Sequence, residues 1–136
     1  MALEWTLETE TELPISFTCA DGTGIEKGAL LMMTDPNTVA TSTGDANIIA
    51  GIAAQEKISS NGQTRIAVYT RGRFKATAGG AITVGDSLIS NSSSGAANEV
   101  VTAGINAENI IGRALETASD THTLLVELNP QTLNLA

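Results

Sequence analysis

Ile25-Glu26-Lys27-Gly28-Ala29-Leu30-Leu31 returns 57 residues later as Ile82-Thr83-Val84-Gly85-Asp86-Ser87-Leu88, both reading I-x-x-G-x-x-L. Ile49-Ala50-Gly51-Ile52-Ala53 is matched by Ile110-Ile111-Gly112-Arg113-Ala114 at an offset of 61, both I-x-G-x-A. A closing segment, Thr64-Arg65-Ile66-Ala67-Val68, is matched by Thr123-Leu124-Leu125-Val126-Glu127 at an offset of 59. Three landmarks at near-constant spacing indicate an internal duplication. They divide the chain into two similar halves, about 25–70 and 82–128. Each landmark is short, apolar and β-branched, which is strand chemistry.

The connections fit that reading. Ser60-Asn61-Gly62 lies between the paired segments of the first half, and Asn-Gly accepts the positive φ that a hairpin turn requires. Ala118 to Thr121 holds the corresponding place in the second half, Ala78-Gly79-Gly80 breaks the halves apart, and Asn91 to Gly95 is a polar loop. Segments 64–70, 71–77 and 123–128 read as strands, with a bulge or bend expected at Gly72. Residues 106–118 also fit an amphipathic helix, but a central Gly112 costs about 1 kcal/mol there. The match to residues 49–53 favours a strand preceded by a short helical turn.

Ahead of the duplication, Leu3, Trp5, Leu7, Thr9, Thr11, Leu13, Ile15 and Phe17 alternate with Glu4, Thr6, Glu8, Glu10 and Glu12. Period-two alternation describes an extended segment with one apolar and one acidic face. It is either the first strand of the core or an arm that docks on another subunit. Deleting residues 2–12 separates the two: a docking arm leaves thermal unfolding nearly unchanged, and a core strand does not. The expected layout is an arm over 1–18, one β domain over 19–130 and a short tail over 131–136.

The chain has 136 residues, one domain by length, and is large enough to bury a core without disulfide or metal. Seven basic against 15 acidic residues give a net charge of −8, which excludes direct nucleic-acid binding. No apolar run is long enough to span a bilayer. The first residues lack the basic and apolar regions of a secretory signal, so synthesis and folding in a cytoplasm are expected. A single cysteine allows no internal disulfide.

Little in the sequence points to catalysis. His122 sits in a turn sequence, Cys19 has no neighbouring base, and the aspartates stand beside turn residues. The glycines lack phosphate-loop spacing. Glu56 and Glu116 fall at matching positions of the two halves, so a pseudo-twofold could bring such a carboxylate pair near an axis. No metal or cofactor is expected. Arg71, Arg73 and Lys75 form the one basic cluster, on the parity of Tyr69.

Gly51-Ile-Ala-Ala, the run from Thr64 to Phe74, Ala81-Ile-Thr-Val-Gly85-Asp-Ser-Leu88, Ile111 to Glu116 and Leu124 to Leu128 together resemble the small head decoration, or cement, proteins of tailed bacteriophages. The resemblance covers about residues 20–128. It implies an all-β fold, a compact small β-barrel or β-tulip-like domain. It further implies a non-enzymatic virion protein, made in the host cytoplasm. Such a protein binds the major capsid protein on the outside of the expanded head, as trimers at threefold positions, and braces the head against internal DNA pressure. The expected capsid contacts are Leu3, Trp5 and Leu7 of the arm and the basic Arg71, Arg73 and Lys75, with Trp5 as anchor. The alternative is a glycan- or ligand-binding β module of a tail or adhesin. Such a module needs an aromatic-lined concavity, for which four aromatics in the whole chain are a poor supply.

Overall fold

Thirteen glycines and clusters of Ser, Thr and Asn cut the apolar runs to strand length. The computed structural model describes residues 3–44, 47–91, 98–104 and 109–132, and among them holds strands, turns and loops but no helix. The strands are β1 (Thr6–Thr9), β2 (Ile15–Thr18), β3 (Leu30–Asp35), β4 (Thr38–Thr41), β5 (Ile49–Ala53), β6 (Arg65–Tyr69), β7 (Gly72–Thr77), β8 (Ser87–Ser90), β9 (Val100–Thr102), β10 (Asn109–Ala114) and β11 (Thr123–Thr132). The all-β expectation holds.

The first half is a closed five-stranded barrel, β2-β4-β3-β5-β6. The second half has the same neighbours, written the other way round as β7-β11-β10-β8-β9, so that β7 corresponds to β2 and β11 to β6, with β1 added on the outer side of β7. A parallel contact joins the ends of the series in each half: Thr18 with Thr38, and Ala78 with Val100.

The duplication extends to individual hydrogen bonds. Ile25 and Lys57 exchange backbone bonds of 2.9 and 2.8 Å, and Ile82 and Ala118 exchange bonds of 2.8 and 2.9 Å. Gly28 N–H donates to Ala53 O at 2.9 Å, and Gly85 N–H to Ala114 O at 2.8 Å. Gln55 Oε1 accepts the Ala67 amide at 2.9 Å, as Glu116 Oε1 accepts that of Leu125 at 2.7 Å. Gly51 and Gly112 hold matching places where a Cβ would run into the carbonyl oxygens of Tyr69 and Glu127. That close approach is why both I-x-G-x-A segments need a glycine.

These bonds correct two alignments. The closing strands match at an offset of 58, Ala67 with Leu125, which sets Val68 against the equally buried Val126 rather than Glu127. Likewise Gln55, not Glu56, is the counterpart of Glu116. The carboxylate pair therefore has no symmetric placement.

Other expectations also shift. Residues 109–114 are strand β10, whereas the helical turn expected before them and the loop after Asn91 lie outside the described residues. Gly72 is not a bulge: β7 pairs with β11 without a break from Gly72 to Thr77, and the register shift lies in β1 between Leu7 and Thr9. Gly72 instead admits Thr9 O and the Phe74 ring, both about 3 Å from where a Cβ would stand. The Asn61-Gly62 turn closes no tight hairpin, because eleven residues separate β5 from β6. The alternating segment from Leu3 to Phe17 splits into β1 and β2, which belong to different halves.

The two cores are contiguous in sequence logic but not independent. Cys19, Leu31, Val39, Ile66 and Val68 fill the first. Phe74, Leu88, Ile111, Leu124 and Val126 fill the second, together with Leu30 and Ile52 from the first half and Trp5 from ahead of both.

Candidate functional site

The sequence singled out two groups, the arm and the basic trio, and the structure brings them to one region. β1 pairs antiparallel with β7, setting Thr6 opposite Lys75, Leu7 opposite Phe74 and Thr9 opposite Arg73. Each contact residue expected from sequence thus lies at or beside the β1–β7 seam.

Their exposures differ. Leu3, Leu7, Arg71 and Arg73 are exposed, and Lys75 is half-buried with its ammonium 3.1 Å from Glu116 Oε1. Arg71 and Arg73 border a cleft of about 300 Å³ that Thr11, Glu12, Glu127 and Asn129 also line. Trp5 is not displayed: it is only 4% exposed and lies within the core. Its ring meets Phe74 edge-on at 6.1 Å, and Tyr69 meets the other side of the cluster at 5.7 Å from Phe74. Buried indole needs a hydrogen-bond acceptor, and Nε1 donates to Asn98 O at 2.8 Å.

Asn98 is the residue that reading the sequence alone misses. It is buried, and its Oδ1 accepts the Leu30 amide at 3.0 Å while its carbonyl holds Trp5. One second-half residue therefore ties the arm to the first half. No local pattern marks such a residue, because its partners lie 93 and 68 positions away.

Other bonds fasten the same arm. Trp5 N–H donates to Gly28 O at 2.8 Å, and Gly28, at φ 89°, presents bare backbone where Trp5 O and Glu4 Cβ crowd in. Burial, followed by a hydrogen bond to Glu10, raises the Tyr69 phenol above its ordinary value. Glu4 and Glu26 share a hydrogen bond that lowers the Glu4 carboxyl and raises that of Glu26.

His122 and Cys19 lie where expected, one exposed and one buried, and burial pushes the Cys19 thiol up, away from nucleophilic use. Among the described residues no group of three His, Cys, Asp or Glu side chains is placed to hold a metal ion. What the surface does offer is apolar: Leu13, Ile15, Met33 and Ile48 are exposed in the first half, and Met33 and Phe17 line one cleft with Ile49.

Comparison with known proteins agrees with this picture. A solved structure, the head fiber gp8.5 N base of bacteriophage phi29, matches with a TM-score of 0.57 at 18% identity, covering 90% of this chain and 99% of that one. At that identity the likeness is one of fold. No curated protein matches. The sequence pattern of the family described as phage cement protein matches residues 9–129, the whole duplicated body and the second half of the arm. The chain therefore belongs to the phage cement protein family, structural proteins of the phage head.

Proposed function

We propose that this protein decorates the outside of the expanded head, as trimers at threefold positions of the shell, and braces it against the pressure of packaged DNA. Membership of the cement family is the observation that carries this reading. An apolar surface supports it, since Leu13, Ile15, Met33 and Ile48 stand exposed on one barrel, and such patches mark interaction sites. Many copies on a closed shell make modest contacts count through multivalency. Leu3, Leu7, Arg71, Arg73 and Lys75 remain candidate contacts with the major capsid protein. Trp5 takes a different role, holding the arm in place.

Co-sedimentation with compact and expanded heads of the phage that encodes the chain tests the proposal. Saturable binding to expanded heads alone, near one copy per capsid subunit, is the expected result. Equal binding to both forms, or none to either, overturns it.

A further inference from the structure

The two halves carry the same five strands, yet in only one is the first strand paired on both sides by more than a single residue. β7 is paired by β11 on one side and by β1 on the other. Its counterpart β2 is paired by β6 on one side and on the other meets only the end of β4, at Thr18. The ladders align Ile15 with Phe74, Ser16 with Lys75 and Phe17 with Ala76. Phe74 is 1% exposed because the arm lays Trp5 over it, whereas Ile15, at the same place in the other barrel, is 50% exposed.

The backbone of β2 is also presented outward. Thr18 N–H reaches Asn37 O at 2.7 Å, on the side away from β6. By the alternation of an extended strand, Ser16 turns its N–H and C=O to that side too. Around it lies the exposed apolar group of Leu13, Met33 and Ile48, with Met33 and Ile48 joined by a 2.8 Å backbone bond. Arg65 runs alongside, its guanidinium donating to the hydroxyls of Ser16 at 2.9 Å and Thr18 at 3.4 Å and to the Ser16 carbonyl at 3.4 Å, so the edge offers the Ser16 N–H as its donor and a carboxylate brought there meets a cation. Pro14 ends the edge on one side, which keeps the seat short and discourages indiscriminate pairing.

We propose that this open edge of β2 seats an extended strand of the shell protein, added as β1 is added to β7. That strand sets a large apolar side chain over Ile15 and a carboxylate toward Arg65. The internal repeat supplies the chemistry of the occupant: on the equivalent edge the arm offers Trp5-Thr6-Leu7-Glu8. Simple counting supplies its source. Each chain has two equivalent seats and one arm, so copies of this chain alone, swapped or not, leave one seat per chain empty. The inference rests on the decoration reading and names the surface that performs it.

Three variants and one peptide test it. Ser16→Pro removes the outward N–H, together with the hydroxyl that Arg65 bonds, and keeps the backbone ladder to β6; Ile15→Asp disrupts the apolar cover, and Val84→Asp, on an exposed residue of the second half, is the control. With far-UV spectra unchanged, the first two should bind expanded heads at least about tenfold more weakly than wild type, and the control should not. Wild-type-like binding by both overturns the proposal while leaving the decoration reading intact. Failure of the wild type itself overturns both. A synthetic peptide of residues 2–10, titrated into the isotope-labelled full chain, reports on the edge alone. The expected result is amide shifts at Ser16 and Phe17, with the Phe17 shift lost in Ser16→Pro, which has no amide of its own at position 16; no shifts, or shifts only along β7, count against the seat.

Discussion

Trp5 joins three parts of the chain: its ring packs on Phe74 and donates to Asn98 O, and its backbone N–H donates to Gly28 O. Trp5→Ala should therefore cost about 3–5 kcal/mol in urea denaturation, the range for emptying a large buried aromatic site. A cost near zero would mean the ring is not part of the core. Lys57 offers the opposite case. It is 2% exposed, with Nζ bonded to Asp21 O at 2.6 Å and Ile58 O at 3.2 Å, where the other half has Ala118. Because the repeat shows that the position works without a charge, Lys57→Met should leave stability unchanged or raise it. A loss of several kcal/mol by the same assay would show the ammonium to be required.

Glu116 gives a pH dependence with a definite sign. The Leu125 amide, then Lys75, holds its carboxyl below the ordinary 4.5. A lowered folded value means its contribution is full above the unfolded value and is lost as pH falls through the folded one. Glu116→Gln should therefore flatten part of the stability decline below about pH 4.5 while keeping the backbone bond, as Gln55 does in the first half. An acid profile identical to wild type would remove the assignment.

Among the elements, β1 is the one whose place could not be read locally. Its alternation predicts an extended segment, and it is one; alternation does not say which edge it joins. Had it been free, deleting residues 2–12 would leave the melting temperature almost unchanged. Paired with β7 and led by a buried Trp5, its loss should lower the melting temperature by roughly 10 °C or more, from the cavity alone. A shift of only a degree or two would return the arm to the surface. The central glycines of β5 and β10 belong to the same scale, each a place where another strand's carbonyl leaves no room for a side chain.

The whole molecule consists of two copies of one barrel plan made inseparable. Leu30 and Ile52 of the first half pack into the second core, and Asn98 of the second bonds the first. The halves should accordingly unfold together, with Trp5 fluorescence and far-UV circular dichroism tracing one coincident transition. Two resolved transitions would show that the shared core does not couple them. The same asymmetry leaves β7 paired by the arm and β2, on the matching side, paired only at Thr18.

The repeated I-x-x-G-x-x-L and I-x-G-x-A segments determined by themselves that the chain is an all-β duplication, because glycine spacing and strand-length apolar runs are local properties. The resemblance those segments carry was enough to point to a phage cement protein. Only the tertiary structure decided the rest. Burial of Trp5 depends on Phe74 and Asn98, far along the chain, and the register of the closing strands depends on which amide Gln55 and Glu116 meet. The single arm pairs with β7 and not with β2, whose matching side meets β4 only at Thr18. No window of sequence contains that choice, since it is set by packing between residues that the chain holds far apart.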